Sequence, residues 1–321
     1  IWDIAFILGS VGSFGYLILN FTRIAQTGGR INNMEIGIAL VGIVCVFEAA
    51  RRASGNLAIL AALFLAYNWF GAYLPGYLGH NGFTLKRVLI TQFWGTEGVL
   101  GTGVGVSATY IFLFVVFGAF LKHSGFSKFI NDFSLTLVGQ TSGAVEAVAS
   151  TGGQFTPPIM GAVGFVMAEF LNLSYTYVAL AAVPPALLYY IGLLLAVHFE
   201  AKRLGLSGIA KENIPDVKIV LKEQGHLVLP LISLIGLMFA GFTPLYAAVI
   251  SIFVTIGASW LRKDTRMTPD KILAAVVEGS QSAISVGVCC VIIGVIIGTV
   301  TLTSMGLNMG YLILSIVHNN N

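Results

Sequence analysis

The sequence predicts an all-α polytopic membrane protein, and three observations carry that prediction. The first is composition: 56% of the residues are hydrophobic and 10% are charged, where a soluble domain carries about 25% charged residues, and mean hydropathy is +0.88. The second is length, because apolar runs recur at the roughly 17–25 residues that a helix needs to cross a hydrocarbon core about 30 Å thick. The third is the placement of charge, which falls in short clusters between those runs, as topology signals do. A net charge of +3 spread over 321 residues does not suggest a nucleic-acid partner.

About ten segments have this character. Residues 4–21, 34–50, 56–74 and 99–121 are the first four, and an interrupted segment, 143–171, is the fifth. Residues 175–198, 227–241, 245–261, 282–301 and 307–317 complete the set. The first span lies close to the start of the sequence, and no cleavable leader pattern precedes it. Between the third and fourth, residues 84–97 (TLKRVLITQFWGTE) alternate polar and apolar residues at helical spacing. Two readings stand for this stretch: a helix lying in the membrane surface with Phe93 and Trp94 at headgroup level, or an ordinary amphipathic connector.

The basic clusters indicate orientation. Residues 200–226 hold five lysines and arginines, and residues 262–271 hold four. Two short segments joined by a tight hairpin at Phe242, Thr243 and Pro244 separate the clusters, so both lie on one face, which the positive-inside rule makes cytoplasmic. The earlier basic residues fall on alternate sides and leave the N-terminal topology open. Cys45, Cys289 and Cys290 lie within apolar segments without disulfide or zinc spacing and read as packing residues. The five histidines stand at segment ends, away from any acidic partner at membrane depth, which disfavours an intramembrane metalloenzyme.

The chemistry concentrates in the interrupted segment. Residues 129–201 contain no lysine or arginine, yet Glu146 and Glu169 flank the sequence STGGQFTPP at 150–158. Pro157 and Pro158 lack N–H donors and clash with the preceding turn, the residue before a proline avoids the α region, and Gly152 and Gly153 tolerate conformations that other residues resist. The helix is therefore expected to unwind near Ser150 and resume near Ile159. Freed backbone groups survive at membrane depth only in protein or beside a cavity, where carbonyls coordinate a cation and a resumed helix N-terminus attracts an anion. Ser150, Thr151, Gln154 and Thr156 add neutral oxygens that suit Na+ or a carboxylate. The competing reading is a proline kink that serves packing alone, but discontinuous helices are the best sequence pointer to a transport site. Glu146 is a functional candidate because an unpaired intramembrane carboxylate is costly; the alternative is a solvated interfacial residue. Glu169 reads as interfacial.

Other irregular stretches carry less. In residues 98–110 (GVLGTGVGVSATY) the glycines do not form a dinucleotide fingerprint, since no strand precedes them. They favour close helix packing, and Ser107 and Thr109 are candidates to line the same cavity. Pro184 and Pro185 read as a kink. Residues 276–303 are rich in small and hydroxyl side chains and are a candidate cavity wall, with Glu278 at the interface.

Three stretches, GVSATYIFLFVVFGAFLKHSGFSKFINDF, GAVEAVASTGGQFTPPIMGAVGFVMAEF and VPPALLYYIGLLLAVHFEAKRLGL, resemble the membrane component of tripartite ATP-independent periplasmic (TRAP) transporters. The resemblance is to the TAXI subtype, in which small and large membrane subunits are fused, and EAARRASGNLAILAALFLAYNWFGAYLPGYLGH fits the fused small-subunit region. It implies two regions, a small-subunit-like scaffold at 1–95 and a large-subunit-like transport region at 96–321. It also implies an elevator-type transporter with inverted repeats that imports organic acids, commonly dicarboxylates, with Na+ or H+. A TAXI-type periplasmic binding protein delivers the substrate, and the protein sits in a bacterial or archaeal cytoplasmic membrane. The family motif maps to Ser150, Thr151, Gly152, Gly153, Gln154, Pro157 and Pro158, with Na+ expected at Ser150 to Gly153, and the subtype carries a glutamate where Glu146 stands. No cofactor and no catalytic residue is implied. The family continues after Gln140 into a hairpin rich in small polar residues, and past the C-terminus into a second repeat, so a longer chain is expected. The other classes weighed, a channel and a lipid-processing membrane enzyme, need a ring of like residues around a pore or facing charged groups at an interface; neither pattern stands out in this sequence.

Overall fold

The structure, a computed structural model, describes residues 2–26, 30–138, 162–204 and 216–319. The described residues are mainly helical, and no strand lies among them. Seven helical stretches among them are long and apolar enough to cross a membrane, and Pro244–Ser259 and Met305–Ser315 are shorter apolar helices. Packing divides the chain into two units, residues 1–107 with 284–321 and residues 108–283, and each is built on its own core.

In the first unit, α1 (Trp2–Gln26) packs on α2 (Asn33–Ala53), and α2 packs on α3 (Gly55–Phe70). Glu35 fixes the start of α2: its carboxylate takes the Asn32 N–H at 2.6 Å and the Tyr16 hydroxyl at 3.2 Å, and it pairs with Arg23. This is a reciprocal N-terminal cap, extended by a cation near the end of α1. At the other end Glu48 holds both Arg51 and Arg52, at 2.8 and 2.7 Å, and Arg52 reaches Asp3 at 2.6 Å. Ser54 alone joins α2 to α3; its N–H bonds back to Ala50 and its carbonyl takes the Ala58 N–H.

After two short 3-10 turns, Gly71–Tyr73 and Gly76–Leu78, the chain enters α4 (Leu85–Leu89), capped by Thr84. It then widens into a π-helical turn, Ile90–Trp94. Here the surface-helix expectation fails. Gln92 and Phe93 are fully buried and Trp94 nearly so, in a cluster with Leu17, Ile24, Ala39 and Ile43. The wide turn is the physical reason, because it turns three consecutive side chains inward. Gly42 on α2 supplies the room, since a methyl group there would run into the Phe93 ring. The remaining wall of this unit comes from α5 (Thr102–Val106), residues 284–302 of a later helix, α14 (Pro269–Leu302), and α15 (Met305–Asn319). Close backbone approach sets that contact: a Cβ on Gly103 would lie 3.0 Å from the Cys290 carbonyl oxygen. Small residues do the same work in other membrane helix pairs.

In the second unit, a π turn (Ser107–Ile111) runs into α6 (Phe112–His123), and α7 (Phe126–Val138) follows a turn in which Gly125 has φ +92°. Next come α8 (Ala162–Leu171), α9 (Tyr175–Ala181) and α10 (Val183–Arg203). Ala182 is the break between α9 and α10, and Pro184 and Pro185 open the new helix, where missing N–H donors cost least; the expected interruption is therefore present. α11 (Val217–Gln224) packs on α7, and α12 (Leu229–Phe239) and α13 (Pro244–Ser259) form a tight helical hairpin. The hairpin turn falls where the sequence placed it. Gly241 sits at φ +89°, the Phe242 N–H reaches back to Leu237, and Thr243 caps α13 through the Tyr246 N–H.

The basic loops of this unit meet. Arg262 donates to the Lys222 carbonyl at 2.9 Å, and the His226 ring nitrogen lies 3.1 Å from the Thr265 hydroxyl. Both clusters therefore share one end, as expected. Glu278 stands partly exposed between Lys122 at 2.5 Å and His123 at 2.7 Å, which agrees with an interfacial position.

Candidate functional site

The residues that the sequence singles out for binding, Ser150, Thr151, Gly152, Gly153, Gln154, Thr156, Pro157 and Pro158, and the carboxylate Glu146, lie outside the described residues. What the structure describes is the arm that leads away from them. The described part of α8 runs from Ala162 to Leu171. Its end is a left-handed cap: Asn172 has φ +51°, the Leu173 N–H returns to Ala168, and the Asn172 N–H returns to Glu169. Asparagine tolerates this conformation better than most residues. Glu169 is exposed, in keeping with an interfacial place.

One side chain anchors the arm. Phe165 is buried, and its ring is stacked between Tyr175, at 4.0 Å and 5°, and Tyr110, at 5.3 Å and 7°, with Phe114 tilted against it at 5.0 Å. Aromatic contacts of this kind add about 0.5–1.5 kcal/mol each beyond area burial. Phe165 thus ties α8 to both α9 and the residues that open α6. Aromatic residues at these positions read in sequence only as apolar helix faces, and nothing local distinguishes the clamp.

Ser107 and Thr109 both lie in the π turn Ser107–Ile111. Ser107 is buried, hydrogen-bonded to the Cys290 thiol, and a Cβ on Gly287 would come within 3.4 Å of its hydroxyl. Thr109 is exposed. Cys45 and Cys290 are buried and Cys289 half-buried, and all three are free thiols. Among the described residues no group of three histidines, cysteines or carboxylates is placed to hold a metal ion.

The first unit contains a polar centre that the sequence reading did not single out. Asn68, Gln92 and Thr299, each with no exposed surface, come from α3, the π turn and α14. The Asn68 amide nitrogen donates to Thr299 Oγ at 3.0 Å and to the Leu65 carbonyl at 3.0 Å. The Gln92 amide nitrogen donates to the same Thr299 Oγ at 3.0 Å and to the Val295 carbonyl at 3.1 Å. Asn68 and Thr299 are 231 residues apart, so each reads in sequence as a lone polar residue in an apolar run.

The family model for the tripartite ATP-independent periplasmic transporter, DctM component, matches residues 41–144 and 140–321. Its two matched stretches overlap at residues 140–144. No curated protein and no solved structure matches the chain.

Proposed function

The chain belongs to the tripartite ATP-independent periplasmic transporter family, DctM component, and on that premise we propose that it is the permease of a binding-protein-dependent importer of organic acids, dicarboxylates in the first place, driven by Na+ or H+. Family membership makes it a membrane subunit of a secondary transporter that works with a periplasmic substrate-binding protein. What supports the finer reading is the sequence of residues 150–158. Ser150, Thr151, Gln154 and Thr156 carry neutral oxygens, and Gly152, Gly153, Pro157 and Pro158 favour a break in an apolar run long enough to reach membrane depth. Carbonyls before the break suit the cation, and the N–H groups of the resumed helix suit the substrate carboxylate. Glu146, four residues before Ser150 in the sequence, takes the coupling role, as a proton carrier or beside the bound cation. Thr109 lines the path.

The binding protein is of the TAXI type, the N-terminal 95 residues act as the static scaffold, and the transport region moves as an elevator. The basic loops at 200–226 and 262–271 face the cytoplasm of a bacterial or archaeal cell. The test is uptake of a labelled dicarboxylate into proteoliposomes holding the full chain, with and without its binding protein, under imposed Na+ and H+ gradients. Saturable uptake that needs both the binding protein and one gradient is expected, and Glu146→Gln abolishes it or flattens its dependence across pH 5–8. Gradient-independent, non-saturable flux would overturn the reading in favour of a channel.

A further inference from the structure

The α1–α2 pair carries a groove along one side. Its floor is the line on which the helices touch: Cys45 Sγ reaches the Phe6 carbonyl at 3.7 Å, and a Cβ on Gly9 would lie 3.1 Å from the same sulfur. Trp2 on α1 and Val41 and Val44 on α2 form its walls, and the enclosed volume is about 320 Å³. Both helices are long and apolar enough to span a membrane, and the three wall residues are exposed. At that depth the groove opens to hydrocarbon rather than to water.

A row of charges stands at one end of the groove. Asp3 follows Trp2 on α1, and Glu48 lies one turn beyond Val44 on α2. Glu48 holds Arg51 at 2.8 Å and Arg52 at 2.7 Å, and Arg52 reaches across to Asp3 at 2.6 Å. The order is therefore Asp3, Arg52, Glu48, Arg51, with opposite signs at the two ends. Both end groups are open, Asp3 being 70% exposed and Arg51 65%, against 18% for Glu48. Arg51 donates to Glu48 through Nε and Nη2, which leaves its Nη1 group without a partner among the described residues. The row lies where α1 begins and α2 ends, and charged side chains at the end of a span reach headgroup level.

Lipid tails are as apolar as the groove, so burial alone selects no occupant. Shape holds a chain there, and the charges select the headgroup. The row sums to zero and exposes both signs, which matches a headgroup that carries both. We propose that the groove binds one zwitterionic phospholipid of the ethanolamine type. One acyl chain lies between α1 and α2, Arg51 takes the phosphate, and Asp3 takes the ammonium. A glycerol headgroup would satisfy Arg51 and give Asp3 no cation. The site uses none of residues 150–158 and stands whatever the substrate bound there.

The test uses the full chain purified in a mild detergent with an equal mixture of phosphatidylethanolamine and phosphatidylglycerol. Phospholipid that stays bound is counted and identified by native mass spectrometry. Wild type is expected to retain phosphatidylethanolamine in preference to phosphatidylglycerol. Val41→Trp, which fills the groove, loses that lipid, whereas Ile59→Trp, at an exposed position on α3, keeps it. Asp3→Asn keeps a lipid but lowers the preference for the ethanolamine headgroup roughly threefold, the effect of one exposed ion pair. Wild type that carries detergent only, equal lipid counts in Val41→Trp and wild type, or an unchanged preference in Asp3→Asn would overturn the proposal. If Val41→Trp does not fold, Arg51→Gln decides, since Arg52 still holds Glu48: a lipid count equal to that of wild type overturns the site.

Discussion

At Gly42 one hydrogen atom decides how residues 88–94 are packed. The Phe93 ring lies against the α2 backbone at that point, and a methyl group there has no room. In a lipid-facing protein the partners of a helix are not driven together by water, so closeness of fit carries the association. Gly42→Ala is therefore expected to destabilise the chain by about 1–3 kcal/mol, the usual cost of overpacking. Its midpoint of thermal unfolding in detergent should fall, and Gly37→Ala on the same helix, where a Cβ meets nothing within 4 Å, should leave it unchanged or raise it, since alanine favours a helix over glycine. An unshifted midpoint for Gly42→Ala would mean that Phe93 packs elsewhere. The glycine gives no local sign of this role, because its partner is 51 residues further along the chain.

Elements differ in how far local sequence determines them. The α12–α13 turn is written in four consecutive residues: Gly241 takes the left-handed conformation, Phe242 bonds back across it, and Thr243 and Pro244 start the next helix. Each residue type is the one its position requires, so the hairpin was legible from sequence. Gly241→Ala is expected to cost about 1–2 kcal/mol, the penalty of placing an L-residue at positive φ, read as a lower thermal midpoint without loss of helix content by circular dichroism. The π turn at Ile90–Trp94 is the opposite case. Its sequence, ITQFW, follows an amphipathic rhythm that an ordinary helix would place at a surface. Only the extra residue in the turn, and partners on α1 and α2, send Gln92, Phe93 and Trp94 inward. The Asn68–Gln92–Thr299 centre was illegible for the same reason, since it exists only where three distant elements meet.

Across the whole molecule, the spans were legible because length and apolarity are local properties and a bilayer imposes both. Orientation follows from the two basic loops, and the contact between Arg262 and the Lys222 carbonyl puts them at one end independently of any charge rule. A cysteine introduced by Lys263→Cys, at an exposed position, should therefore react with an impermeant maleimide in inside-out vesicles and not in intact cells. The three native thiols, two buried and one half-buried within apolar helices, provide a low background. Labelling in intact cells would reverse the orientation. The proposed binding segment at 150–158 rests on the chemistry of its prolines, glycines and neutral oxygens, and it lies outside the described residues.

The single-residue joint at Ser54 has a consequence for biogenesis. Its N–H and its carbonyl are both engaged in the helical bonding on either side, to Ala50 and from Ala58, so no free loop lies between α2 and α3. A translocation machine that releases spans one at a time into lipid would have to unwind one helix to pause between these two. The 21 residues of α2 and the 16 of α3 are therefore expected to enter the bilayer as a pair rather than one at a time.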